Sequence, residues 1–448
     1  MRILLTVHQF FPEYSAGTEV LTLSVAKKLL ALGHEVHIYS GHPGDTCTSD
    51  DQRLEEYVYD GIAVSRFLHA YVPMAGQTSM IEIGYKNVLA LQNFDNVVRQ
   101  FNPDYVHHFH LNRLGIGLID FLHQQGIAQF FTPTDFWMIC PTAQLMLGEG
   151  RYCSGPDHNA GNCVKHFSRD RLKGLSGKFI DNIPDIMFSK LALITKKNPI
   201  IQFPMSQEVR ALTDRLTNTV AALNKLDGIV SPNAFMKELF IKYGVKESLI
   251  HSCQFGVDIN NSYIKQEASD NIQPVICLGF IGTLAPHKGC HIAIKAFLDL
   301  PVGSARLKIY GSHKDFPDYY ESLIKLVNNN PDIEFCGTFH NENIGEIIAQ
   351  FDVLLVPSVW YENTPLVIYS AQACQCPVIA SNLPGISEIV HDEENGLLFN
   401  PGDSADLNKC IQRIIARAEL LPTFRKNCCA PLSVEQYTLK LLDIWCKC

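Results

Sequence analysis

Glu362 is the residue whose type and surroundings point most directly to chemistry. It lies in VLLVPSVWYENTPLVIYSAQACQCPVIAS, residues 353–381. That stretch reads as a buried strand (353–357), a loop carrying Glu362, a helix, and a second strand at 377–380. Thr364 and Pro365 make a helix start: a hydroxyl at the N-cap, then a proline at the first helical position, where its missing N–H costs nothing. The N–H groups of Leu366 and Val367 then face the loop at the carboxyl end of a strand. Open α/β sheets bind ligands there, and a helix N-terminus favours an anion. A carboxylate beside that positive end would repel phosphate. Glu362 is better placed to accept hydrogen bonds from hydroxyls on a group attached to the phosphate, so the ligand implied is a phosphate-linked polyol, a nucleotide sugar.

The elements that must position this loop alternate along the chain in two blocks. The first has strands at 3–7, 35–39, 105–108, 128–132 and 228–231, with a helix at 18–32 ending at Gly33. The second has a strand at 275–281, a helix at 290–300, a strand at 307–310, a helix at 320–328 and a strand at 333–335 before the Glu362 stretch. Alternation of this kind predicts parallel, doubly wound sheets. A polar stretch at 266–274, with Asp270, Asn271 and Pro274, reads as the linker. The length of 448 residues suits two domains better than one core. A net charge of −9 argues against a nucleic-acid partner, which calls for a basic surplus. Fifteen cysteines without a secretory signal point to a reducing, cytoplasmic compartment. The apolar start at 3–7 is too short for a signal segment and runs into His8 and Gln9. No apolar run reaches transmembrane length.

PSVWYENTPLVIYSAQA, followed by PVIAS, resembles the donor-site signature of the GT-B retaining glycosyltransferases of the family 4 type, the glycosyl transferases group 1. That signature has a Glu, a helix opening with a small residue and Pro, and a second Glu eight positions after the first; here the first is Glu362 and the eighth position holds Ser370. Asn363 and Thr364 fall within the same donor loop. The N-terminal MRILLTVHQFFPEYSAGTEVLTLSVAKKLLALGHEVHIYS resembles the first βαβ unit of the family, with Ala16, Gly17, Thr18 and Glu19 in place of its glycine-rich loop. Alone, Gly17 reads as a turn glycine; within this pattern Gly17 and Thr18 face the donor, where glycine lets backbone approach a ligand. The stretch GFIGTLAPHKGCHIAIKAF, 279–297, resembles the strand, loop and helix that carry the family's diphosphate-binding Arg and Lys. Lys288 takes the lysine position; Thr283, after Gly282, takes the arginine position. Asp135, in FTPTDFWMICP, stands where members carry His-Asp, with Thr134 for the His, and either faces the transferred sugar or caps the following turn. Phe339 stands where the family cradles the nucleobase, or is a core aromatic. Residues 395–399 match the loop after the donor helix.

The resemblance covers nearly the whole chain and implies two Rossmann-like domains facing a cleft. Residues 1–262 would be the acceptor-side domain with an inserted segment at about 140–206, and 270–430 the nucleotide-sugar domain. Residues 431–448 would be a helix returning to the first domain. The implied reaction is retaining transfer of a sugar from a nucleotide-diphosphate donor to a hydroxyl of a glycan or lipid-linked acceptor, in polysaccharide or glycolipid assembly. No cofactor is implied. No D-x-D triplet is present for a metal–diphosphate clamp; Lys288 and the Leu366 and Val367 amides would stabilise the leaving diphosphate. Thr134, Thr283 and Ser370 replace charged or ionisable groups by hydroxyls, and a charge-assisted hydrogen bond is roughly twice as strong as a neutral one. Two alternatives therefore stand beside the transferase: an inactive paralogue acting as a sugar-nucleotide sensor or partner subunit, and a nucleotide-sugar epimerase.

Two further features lie in the inserted segment. Cys140, Cys153, Cys163 and His166 supply the donor types of a Cys3His structural zinc, but their spacing is not that of paired ligands, and free thiols are the preferred reading. Residues 168–206 interleave Arg169, Arg171, Lys173, Lys178, Lys190, Lys196 and Lys197 with apolar residues. That pattern is either a surface that docks on an anionic membrane or a solvated helical face.

Overall fold

A computed structural model describes residues 1–147, 150–172, 175–198, 200, 202–259 and 275–447. The expected linker at 266–274 lies outside the described residues. The chain separates into two compact units, Met1–Cys253 with Val434–Cys448, and Gln254–Ser433. Residues on the near side of the expected boundary already belong to the second unit, where Val257 N–H donates to the Leu432 carbonyl at 2.9 Å.

The first unit is built on an eight-stranded sheet. Its strands run in the order Ile250–Ser252, Gly228–Ser231, Ala128–Phe131, Tyr105–His108, Arg2–Val7, Glu35–Pro43, Ile62–His69 and Leu54–Tyr59. All pairings are parallel except the last, an antiparallel edge. Ile3, Leu4 and Leu5 are fully buried, as expected of a central strand covered on both faces. The edge hairpin is absent from the sequence reading. It turns at Asp60-Gly61, both with positive φ, the aspartate–glycine pair that a two-residue hairpin favours. The Val434–Lys447 helix packs on this unit: Trp445 is buried, stacks on Tyr105 and Phe130, and donates from Nε1 to His107 Nδ1 at 3.1 Å. The inserted segment contributes helices Gly161–Arg171, Leu175–Asp181 and Asp185–Lys197. The first and third share a small core of Ala160, Cys163, Val164 and Ala192 with Val209 and Leu212 of the Ser206–Leu223 helix.

Buried neutral histidines make this unit acid-sensitive. Burial lowers the pKa of His37, His69 and His108 to about 4, and lowers those of His8 and His107 well below 6.5. The unfolded chain therefore binds more protons than the folded one below 6.5, so stability is complete above that pH and is lost as pH falls toward 4. For His37, His69 and His108 the loss by about pH 5 is on the order of 1–2 kcal/mol each. Thermal melting between about pH 7.5 and 5 is expected to show a steep fall in Tm for the transition of this unit. An unchanged Tm across that range would contradict it.

The second unit has a six-stranded, all-parallel sheet in the order Ile333–Gly337, Ala305–Tyr310, Ile276–Ile281, Val353–Val356, Val378–Ser381 and Gly396–Phe399. Numbered within the unit, this is the doubly wound 3-2-1-4-5-6 order, whose ligand crevice lies where the order reverses, at the carboxyl ends of the first and fourth strands. Gly396–Phe399, expected as a loop, is the edge strand: it pairs in register with Val378–Ser381 and buries Leu397 and Phe399. Among the described residues no helix is long and apolar enough to cross a membrane.

Candidate active site

Lys288 and Glu362 are 74 positions apart and meet at the reversal point of the second unit. Ile276–Ile281 runs into Gly282 and Thr283, then a short turn at Pro286–Lys288 that Gly289 ends at φ +72°. A Cβ on Gly289 would overlap the Pro357 carbonyl oxygen, so only glycine lets the two loops close up. Val359 N–H donates to the His287 carbonyl at 2.9 Å and ties them together.

On that frame Glu362 Oε1 accepts three hydrogen bonds, from Lys288 Nζ at 2.7 Å, Ser358 Oγ at 2.7 Å and Trp360 Nε1 at 2.8 Å. Oε2 accepts none among the described residues. Burial alone would raise the carboxyl pKa; the Lys288 charge and the three donors outweigh it and hold Glu362 below its ordinary 4.5. Lys288 Nζ also lies 5.0 Å from the Trp360 ring centroid. His287 packs against the same indole, with centroids 4.3 Å apart, and burial, then Lys288, lower its pKa to about 4. Lys288 is thus the cation of this loop pair.

The other donor-loop residues divide. The helix is Leu366–Ala373 with Pro365 as its N-cap, one residue later than expected. Thr364 does not cap it: its Oγ1 donates to the Asn363 carbonyl at 2.7 Å, because Pro365 is extended at ψ 113° and carries the hydroxyl away from the first turn. Leu366 and Val367, at the start of the helix, have N–H groups without intrahelical acceptors. Ser370 is buried and donates to the Leu366 carbonyl at 3.1 Å, so its hydroxyl is engaged by its own helix. Gly282 N–H pairs with the Tyr310 carbonyl at 3.0 Å, while the Thr283 side chain makes no hydrogen bond among the described residues. Phe339 is half-buried, edge-on to Tyr310 at 5.6 Å.

A second cluster occupies the reversal point of the first unit, between the ends of Arg2–Val7 and Tyr105–His108. Asp135 is held by two donors, His110 Nε2 at 2.8 Å and Trp137 N–H at 2.8 Å. Asn112 N–H donates to His110 Nδ1 at 3.0 Å, which fixes the proton of a neutral ring on Nε2. Thr134 donates to the Phe109 carbonyl at 3.2 Å and does not replace the missing imidazole. His110, from a different strand end, supplies one instead. The His8 ring lies 4.1 Å from His110, and its Nε2 is 3.6 Å from Glu19 Oε1. Burial raises the Glu19 pKa and lowers that of His8. Sequence reasoning missed His8, Glu19 and His110 as site residues. Their common signal was position, just past a buried strand or in the first turn of the following helix. Gly17 opens that helix, Gly17–Ala31, at an ordinary φ and Thr18 follows it, so no backbone strain requires glycine there.

Cys140, Cys153, Cys163 and His166 line one small pocket. Among the described residues, however, no three His, Cys, Asp or Glu side chains stand close enough to share a metal ion. His166 instead pairs with Asp170 at 3.2 Å, and burial raises the Cys163 thiol far above its ordinary value. The Cys3His alternative therefore has no donor set among the described residues.

Residues 262–428 match the family described as Glycosyl transferases group 1. They belong to that family. An uncharacterized glycosyltransferase of Methanocaldococcus jannaschii is 27% identical over 227 residues, 46% of this chain and 61% of that protein. The D-inositol 3-phosphate glycosyltransferase of Geodermatophilus obscurus is 30% identical over 159 residues, 33% of this chain and 35% of that protein. The chain thus spans 35–61% of the length of the first curated relatives it matches. Among solved structures, sucrose-phosphate synthase from Thermosynechococcus elongatus aligns at TM-score 0.64 and 16% identity, covering 100% of this chain and 98% of that one. Anabaena HepE in complex with UDP aligns at TM-score 0.64 and 16% identity, covering 100% of both chains. The fold is GT-B, two Rossmann-like α/β units.

Proposed function

We propose that this protein is a retaining glycosyltransferase that moves a sugar from a nucleotide-diphosphate donor to a hydroxyl of a glycan or lipid-linked acceptor. The observation that carries the proposal is the Lys288–Glu362 pair, set by Ser358 and Trp360 just before the Leu366–Ala373 helix. Lys288 and the first-turn amides of that helix balance the charge that grows on the leaving diphosphate. Glu362 Oε2 accepts from hydroxyls of the transferred sugar. The bond from the anomeric carbon to the diphosphate breaks as the acceptor oxygen bonds on the same face, and a phosphate oxygen takes the acceptor proton. We assign Asp135, held by His110, to a substrate hydroxyl, and Phe339 to the base. The UDP and UDP-glucose complexes of HepE support a nucleotide-sugar donor for this fold. Fourteen free cysteines among the described residues fit a reducing, cytoplasmic compartment.

The test is calorimetric titration of wild type with UDP-, GDP-, dTDP- and ADP-sugars in the presence of EDTA. One donor is expected to bind without metal, at a micromolar to millimolar Kd typical of enzyme substrates. No binding to any donor would overturn the proposal. Binding without turnover on any acceptor would favour the sensor reading, for which the engaged Ser370 hydroxyl is the specific observation.

A further inference from the structure

The inserted segment carries an apolar face that the core does not use. On the Asp185–Lys197 helix, Ile186 is 61% exposed, Met187 58%, Leu191 37% and Ile194 50%. At about 100° per residue these four fall within about 140° of one another, and the exposed Lys190 and Lys197 fall in the same arc. The opposite face holds the helix in place: Ala192 and Thr195 are fully buried, and Phe188 packs on the small core. Phe179 on the preceding helix is 70% exposed. A helix apolar on both faces is normally enclosed; this one is pinned by one face and presents the other.

We propose that this face docks on an anionic lipid bilayer. Two observations choose lipid over protein. Residues 161–206 hold eight Lys and Arg against three Asp, a surplus of five in a chain whose net charge is −9. Second, Lys190 and Lys197 stand inside the apolar arc and have no ion pair among the described residues. In a protein interface they would be desolvated at its centre, where lysine is depleted. At a bilayer the apolar side chains enter the acyl boundary while the lysine stems snorkel to the phosphates. The inference deepens the lipid-linked acceptor of the proposed function by placing the protein where such an acceptor resides. It does not depend on sugar transfer, since vesicle binding tests one and donor calorimetry the other.

The experiment is co-sedimentation of the full chain with vesicles of phosphatidylglycerol and phosphatidylcholine, and of phosphatidylcholine alone. Wild type is expected to bind the anionic vesicles and to be released by salt. Combining Ile186→Ser, Met187→Ser and Ile194→Ser is expected to weaken binding more than tenfold. Lys190→Gln with Lys197→Gln should weaken it roughly fivefold for each charge. Both variants should keep the wild-type Tm and donor affinity, since none of these side chains belongs to the core or the donor loops. Wild type remaining in the supernatant, or both variants binding like wild type, would overturn the proposal. So would a lipid-free dimer in sedimentation velocity that the serine variant dissociates, which would make the face a contact between copies.

Discussion

Glu362→Ala is expected to lower turnover by about 10²–10³-fold in a protein that still folds. The carboxylate accepts three hydrogen bonds on one oxygen and, in the proposed mechanism, offers the other to substrate, so its loss removes a preorganised acceptor and unsettles Lys288 at once. The fold tolerates the change because removing a buried carboxylate also removes the cost of its desolvation, and Lys288, with 27% of its side chain exposed, can turn to water. Glu362→Gln keeps the shape and loses the charge, and should fall between wild type and alanine. The measurement is kcat on purified variants beside thermal melting. Near-wild-type turnover by a folded Glu362→Ala protein would remove the residue from the mechanism.

Lys288→Ala has the opposite asymmetry and a larger effect on stability. It leaves the Glu362 carboxylate, 8% exposed, without its cation. Breaking a buried pair from one side costs about 3–5 kcal/mol, here nearer 2 kcal/mol because solvent at Lys288 screens the pair. Donor affinity should fall by about 10²-fold or more, since the diphosphate loses a charge-assisted partner. The folded pKa of Glu362 is depressed, so the stabilisation from the pair is present above 4.5 and is lost as pH falls through the folded value. The stability gap between wild type and Lys288→Ala should therefore be full at neutral pH and shrink below about 4.5. Urea unfolding at both pH values measures it. Lys288→Met combined with Glu362→Gln separates the two roles: stability should recover while donor binding does not. A double variant that binds donor like wild type would refute the assignment of Lys288 to the diphosphate.

Much of the architecture was legible in the sequence because buried parallel strands are short runs of β-branched and apolar residues. Periodicity of that kind survives without knowledge of the partner strand. Tyr105–His108 and Gly228–Ser231 fall where the sequence placed them. The edge hairpin at Leu54–Tyr59 and Ile62–His69 escaped, since exposed edge strands lack a continuous apolar run, although its Asp60-Gly61 turn was a signal. Gly396–Phe399 escaped because four residues are too few to distinguish a strand from a loop.

The candidate site divides along the same line. Residue type and local spacing identified Glu362 as a candidate, and the family resemblance added Lys288; each sits between a strand end and a helix start. Only the strand order could bring them within 2.7 Å of each other, since hydrogen bonding between strands far apart in sequence decides which loops become neighbours. The same holds for His110 and Asp135, joined across 25 residues, and for His8 beside Glu19. Local geometry also decided against one sequence expectation and constrained another residue. Thr364 cannot cap a helix that begins after an extended Pro365, and Ser370 gives its hydroxyl to Leu366. By itself, the sequence of this protein determined the chemistry available, because side-chain type and helix starts are properties of short segments. Tertiary structure decided which groups act together, because distance across a sheet depends on strand order.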